Sequence, residues 1–313
     1  MKFKIVLASG AALAFLGATV CVQAQNLNGT VSPSFYGSPL AIQTINTGFG
    51  NAAGGADSVG GSELDAAYGR ISGGNLYLFL AGNTEANGNH LNVFIAGGAA
   101  GQNVLAAPTG NTMGPAMNGS VFSPGFQATF ALDVNDYSGT PGTVPGTLYS
   151  EEYNLTGVPS GGYVGALPES SLGIAGGSDG GVTSIYLNNN HASTMGASGA
   201  ALSGATSGAN TTTGYELVIP LSAIGYAGGN IMVLADINGG GDGYLANQFL
   251  PGLAVGTGNV GGGGPYTGSS GSKFDFANTP GEYFTIAGVP EPASMVMLGF
   301  AGLTTLLAIR RRK

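Results

Sequence analysis

The chain has 313 residues, of which 59 are glycine and only 8% are charged, so it is apolar enough to fold and too poor in charge for a solvated disordered tail. Between Gln25 and Val289 two basic residues, Arg70 and Lys273, stand against 15 acidic ones, a net charge of −13 that leaves no means of neutralising phosphates and excludes nucleic acid as a partner. The one cysteine, Cys21, excludes an intramolecular disulfide and a cysteine-based metal cage, and glycine without a Gly-X-Y period excludes collagen.

The chain opens MKFKIVLASGAALAFLGATVCVQAQ. Lys2 and Lys4 precede an apolar stretch from Ile5, and short residues at Val22 and Ala24 lie three and one before a cut between Ala24 and Gln25. This pattern is a secretory signal peptide over residues 1–24, which makes the Sec translocon and signal peptidase the first expected partners. An N-terminal transmembrane helix is the other reading, and the prompt cleavage pattern argues against it. Ala18, Thr19 and Val20 make a poor lipoprotein box before Cys21, because that signal wants a small residue directly before the cysteine.

From Gln25 to Gly288 short apolar or alternating runs are divided by glycine-rich punctuation, and none has the sustained 3.6-residue period of a long helix. Asn75–Asn83, NLYLFLAGN, is the clearest strand, and Ser72, Gly73 and Gly74 before it form the turn of a hairpin with LDAAYGRIS. Further strands are expected at Leu91–Ile95, Phe126–Val134, Thr147–Tyr153, Val182–Leu187, Tyr215–Pro220, Ile231–Ile237 and Glu282–Ile286. One short helix fits Leu221–Gly225, with Ser222 as cap and Gly225 as stop. Stretches 191–214 and 252–272 read as long glycine-rich loops. The sum is an all-β chain, an antiparallel β-sandwich of jelly-roll type forming one secreted domain over 25–288, flanked by a signal helix and a C-terminal membrane helix.

The polar residues of this body give thin material for catalysis. His90 and His191 are the only histidines, each in an Asn- and Gly-rich context that reads as a solvated turn. Glu151 and Glu152 are neighbours, and in a strand they point to opposite faces, which makes them poor partners for acid and base roles. No enzymatic activity is therefore expected. The loop DINGGGDG offers hard oxygen ligands for Ca²⁺ from Asp236, Asn238 and Asp242, with a plain turn after a strand as the alternative. LDVND, residues 132–136, reads as a second acidic turn. Tyr137, Tyr149, Tyr153, Tyr163 and Tyr186 are available to stack on sugar rings, or equally to fill a core or its rim.

The chain ends VPEPASMVMLGFAGLTTLLAIRRRK. Ala293–Ile309 carries no charge over 17 residues, enough at about 1.5 Å per residue to cross most of a hydrocarbon core. Arg310, Arg311, Arg312 and Lys313 would hold that end on the cytoplasmic side. Pro290 and Pro292 bracket Glu291, remove two backbone donors and keep the segment extended and open to a processing enzyme.

The order of these three parts, Pro290-Glu291-Pro292, apolar span and basic tail, resembles the PEP-CTERM sorting signal over residues 289–313. The resemblance implies recognition by an exosortase in a Gram-negative, polysaccharide-exporting bacterium, with a transient stay in the membrane before delivery to the cell surface or extracellular matrix. A plain single-pass anchor is the other reading of the span. LDAAYGRISGGNLYLFLAGN, GYELVIPLSAIG, NQFLPGL and TPGEYFTI resemble uncharacterised secreted bacterial proteins bearing such signals, and the Asp-Ala hairpin is loosely similar to carbohydrate-binding sandwiches of the DOMON or family 9 module kind. The function expected is structural or adhesive, with extracellular polysaccharide as a partner, or alternatively the binding of neutral glycans.

Overall fold

A computed structural model describes residues 25–49, 61–138, 146–169, 184–187, 208–262, 274–278 and 283–288. They form an all-β structure of two open antiparallel sheets that share one core. The first sheet is ordered β1 (Ala41–Ile42), β2 (Glu63–Ser72), β3 (Asn75–Asn83), β9 (Gly214–Pro220), β8 (Ser184–Leu187). The second runs β11 (Leu245–Leu250), β10 (Ile231–Asn238), β4 (Asn87–Ala96), β5 (Phe130–Tyr137), β6 (Thr147–Asn154), β7 (Ser160–Pro168), with β12 (Phe284–Ile286) also pairing β10. The expected strand Asn75–Asn83 is β3, and a two-residue turn at Gly73 and Gly74 joins it to β2. Both glycines have positive φ, +56° and +80°, as a hairpin turn matched to right-handed strand twist requires.

Residues at alternate positions define three apolar layers. Leu76, Leu78 and Leu80 of β3 meet Leu91, Val93 and Ile95 of β4 and Leu132 and Val134 of β5 in the core between the sheets. Outside the first sheet, Tyr68 and Phe79 pack under Phe35 and Tyr36 of α1 (Pro33–Tyr36). Outside the second, Phe94, Phe249 and Tyr153 lie beneath Phe122, Phe126 and Phe276, with the Phe122 and Phe276 rings stacked at 5.4 Å. A buried phenylalanine contributes about 1.5–3 kcal/mol, so this outer layer is a second core rather than a cover.

Several local expectations change. Leu221–Gly225 forms successive turns instead of a helix, ending at Gly225 with φ +61°. LDVND lies within β5, not on a turn. β7, β11 and two short helices, α1 and α2 (Met113–Met117), carry too little periodicity to stand out in sequence. Gly252–Gly262 follows the edge of β11, bridged at Leu245 and Gly261 and held by the Asn247 side-chain amide donating to the Thr257 carbonyl. The signal segment 1–24, His191 and the sorting segment with Pro290, Glu291, Pro292 and Arg310–Lys313 lie outside the described residues. Among the described residues no helix is long and apolar enough to cross a membrane.

Candidate functional site

Along four neighbouring strands the outer face of the second sheet changes from apolar to polar. Phe94 is followed at two-residue steps by Asn92 and His90 on β4, Ala131 by Asp133 and Asn135 on β5, Tyr153 by Glu151 and Tyr149 on β6, and Leu234 by Asp236 and Asn238 on β10. Because strand register sets like faces opposite one another, these become two rows across the sheet. One runs Asp236, Asn92, Asp133, Glu151, Tyr163, and the next Asn238, His90, Asn135, Tyr149.

The first row ends at an open cleft of about 400 Å³ over β5, β6 and β7. Asp133, Asn135 and Glu151 line its floor, and Tyr137, Tyr149 and Tyr163, each 40–57% exposed, stand at its edge. Glu151 is fixed by donors at the start of α2, accepting from the Thr112 N–H at 3.0 Å, the Thr112 hydroxyl at 3.0 Å and the Met113 N–H at 3.3 Å. The Tyr153 hydroxyl also donates to Glu151, and burial followed by that hydrogen bond pushes the Tyr153 phenol well above its usual range.

Beneath the cleft the rows converge on His90, Asp133 and Asp242, all at most 1% exposed. Asp242 arrives from the turn Gly240–Asp242, where it adopts φ +53°, a left-handed conformation that aspartate tolerates better than most side chains. His90 Nδ1 lies 2.8 Å from Asp133 Oδ1 and 3.5 Å from Asp242 Oδ1. The Asn92 amide donates to the same two oxygens, at 3.3 Å and 3.0 Å. On the far side of the ring, His90 Nε2 accepts from the Asn135 amide at 2.7 Å and from the Gly241 N–H at 3.3 Å.

These donors do not satisfy the carboxylates. Asp242 Oδ2 and both oxygens of Asp236 are buried without a hydrogen-bond partner. Burial is the main cause that raises Asp133, Asp236 and Asp242 well above the ordinary carboxylate range, with mutual repulsion next, including that of Glu151 on Asp133. His90 and Asn92 pull Asp242 partly back.

Of the trio Asp236, Asn238 and Asp242 expected from one loop, the structure brings Asp242 to His90 and Asp133 and leaves Asp236 outside that group, on the far side of Asn92 in the same row. Asn238 has another task. Its Oδ1 accepts from the Gly239 and Tyr244 N–H groups and its Nδ2 donates to the Asp242 carbonyl, so it shapes the turn. His90, expected on a solvated turn, is buried in β4. The sign that reveals it is polar spacing by two within strands: His90 and Asn92, Asp133 and Asn135, Asp236 and Asn238. No family profile, curated protein or solved structure matches the chain.

Proposed function

We propose that this protein is exported, reaches the cell surface or extracellular matrix, and works there by non-catalytic adhesion, gripping a neutral glycan in the tyrosine-edged cleft. The observation that carries the contact is the set of three half-exposed tyrosines, Tyr137, Tyr149 and Tyr163, on adjacent strands over a floor of Asp133, Asn135 and Glu151. Aromatic faces suit the apolar faces of sugar rings, and buried carboxylate and amide groups suit their hydroxyls. Acidic residues at the floor and a net charge of −13 over 25–289 repel anionic polymers, which selects for uncharged ones.

Export is supported by the two termini. Signal peptidase would act between Ala24 and Gln25, and an exosortase would act at the Pro290-Glu291-Pro292 segment after the span 293–309 has held the chain in the membrane. The sandwich is read as jelly-roll-like because consecutive strands cross between sheets at β3 to β4, β7 to β8 and β9 to β10.

A glycan array probed with the exported chain tests the adhesive reading. Saturable retention by a neutral polysaccharide is expected, with Tyr149→Ala and Tyr163→Ala each weakening it about tenfold, the cost of one aromatic anchor. A blank array, or retention that both variants leave intact, would overturn the cleft as the contact. Mass spectrometry of protein from its host should find a start at Gln25 and an end at or before the Pro-Glu-Pro segment, and an intact full-length chain in the cytosol would overturn export.

A further inference from the structure

We propose that His90, Asp133 and Asp242 bind one divalent transition metal ion of zinc or manganese type at the floor of the cleft. The inference shares Asp133 and Asn135 with the floor of that cleft but does not rest on the tyrosines, and its test reads bound metal rather than glycan retention, so the two readings fail separately.

Two strands and a turn deliver the donors. His90 comes from β4, Asp133 from β5 and Asp242 from the Gly240–Asp242 turn, so residues up to 152 positions apart meet. One nitrogen and two carboxylate oxygens lie within 4.8 Å of one another. Ligands held at roughly 2.0–2.2 Å from an ion sit about 3–3.5 Å from each other. The His90 Nδ1 distances of 2.8 Å and 3.5 Å to Asp133 and Asp242 match that spacing with small adjustment.

The second, independent observation is the unpartnered acid. Asp236 is fully buried, lies in the same row as Asn92 and Asp133, and has no hydrogen bond to either oxygen. Asp242 Oδ2 is likewise buried and without a partner. Two carboxylates and one imidazole meet at one buried point, and Asp242 Oδ2 there has a lone pair that no donor takes up, which leaves room for a cation as its partner.

Donor chemistry narrows the ion. Calcium takes six to eight oxygens, whereas here a ring nitrogen occupies the centre of the set, and imidazole with carboxylate suits zinc or manganese. Ligation through Nδ1 places the ring proton on Nε2, which then needs an acceptor. Asn135 supplies one by half a turn of its amide, because its Oδ1 is buried without a partner. The proton on Nε2 displaces the long Gly241 N–H contact, and the turned amide gives Asn135 Oδ1 the donor it otherwise lacks. Asn92, bonded to Asp133 and Asp242 at once, orients both ligands from behind.

The test uses the untagged full chain, stripped with a chelator and then dialysed against an equimolar mixture of Zn²⁺, Mn²⁺ and Ca²⁺. Elemental analysis should find about one equivalent of zinc or manganese per chain, and the melting temperature should rise when that ion is added to the stripped protein. Asp242→Asn keeps the shape and removes a buried charge, so its stripped form should melt no lower than the wild type while it holds the metal about tenfold or more weakly. His90→Gln should show the same loss and serves if Asp242→Asn does not fold. Retention of calcium in preference to the other two, absence of any bound ion, or undiminished binding by both variants would each overturn the site.

Discussion

Two sets of carboxylates in this protein are equally buried and opposite in condition. Glu216, on β9 of the first sheet, is fully buried and accepts four hydrogen bonds, from Gln25 Nε2 at 2.9 Å, the Asn28 N–H at 3.0 Å, the Gly29 N–H at 3.2 Å and the Tyr36 hydroxyl at 3.0 Å. Asp236, on β10 of the second sheet, is just as buried and accepts none. Depth does not separate the two; the supply of donors does. Glu216 is a completed joint that ties residues 25–36 to the sheet, and burial, followed by the charge of Glu216, raises the Tyr36 phenol far above its usual range, so that hydroxyl remains a donor. Asp236 and the Oδ2 atom of Asp242 have no such provision, which is why buried acid reads as structure in one place and as a site in the other.

Substitution at Glu216 should show the contrast most strongly. Glu216→Ala strands four donors, and the loss expected in denaturant unfolding is about 3 kcal/mol or more. Glu216→Gln points an amide nitrogen at some of those donors and should cost about 2 kcal/mol.

Next comes pH. Burial lifts Asp133, Asp236 and Asp242 in the folded chain, where they face His90, Glu151 and one another, and the unfolded chain lacks that shift. Between about pH 4 and the raised values the folded state therefore binds more protons than the unfolded one. Metal-free protein should lose stability as pH rises through that window, with thermal melts highest at mildly acidic pH. A melting temperature that climbed steadily from pH 5 to pH 8 in the presence of chelator would contradict the raised values.

The acid-to-amide change that harms Glu216 should help Asp236. Asp236→Asn is expected to stabilise the metal-free chain by about 1 kcal/mol, because it removes repulsion while its neighbours lose no acceptor they were using. Equal signs for Glu216→Gln and Asp236→Asn would erase the distinction between the two settings. Smallest of all, Tyr163→Ala at the edge of the cleft should move stability by less than about 0.5 kcal/mol, and its consequence should be confined to glycan retention.

Much of the scaffold was legible in the chain. Asn75–Asn83 announces itself through dense aromatic and aliphatic residues and Thr147–Asn154 through its two tyrosines, and the Gly73-Gly74 turn through the φ that only glycine adopts freely. β7 was not, because SGGYVGALP has three glycines and its side chains are mostly outside the core. The site was half legible. DINGGGDG marked Asp236 and Asp242, while His90 in GNHLNV and Asp133 in LDVND looked like turn residues since asparagine and aspartate favour turns wherever no partner strand is in view.

Sequence alone determined that the chain is β-rich, acidic and glycine-punctuated, because alternation, charge and backbone freedom are local properties written residue by residue. Only the tertiary structure decided which acids are provided for and which are left bare. The register of β10 against β4 and of β4 against β5 sets Asp236, Asn92 and Asp133 in one row, and the turn that follows folds Asp242 back over His90. Asp236 and Asn92, like Asp242 and His90, lie more than a hundred positions apart in the chain, and the energy of a buried charge depends on such neighbours rather than on the segment that carries it.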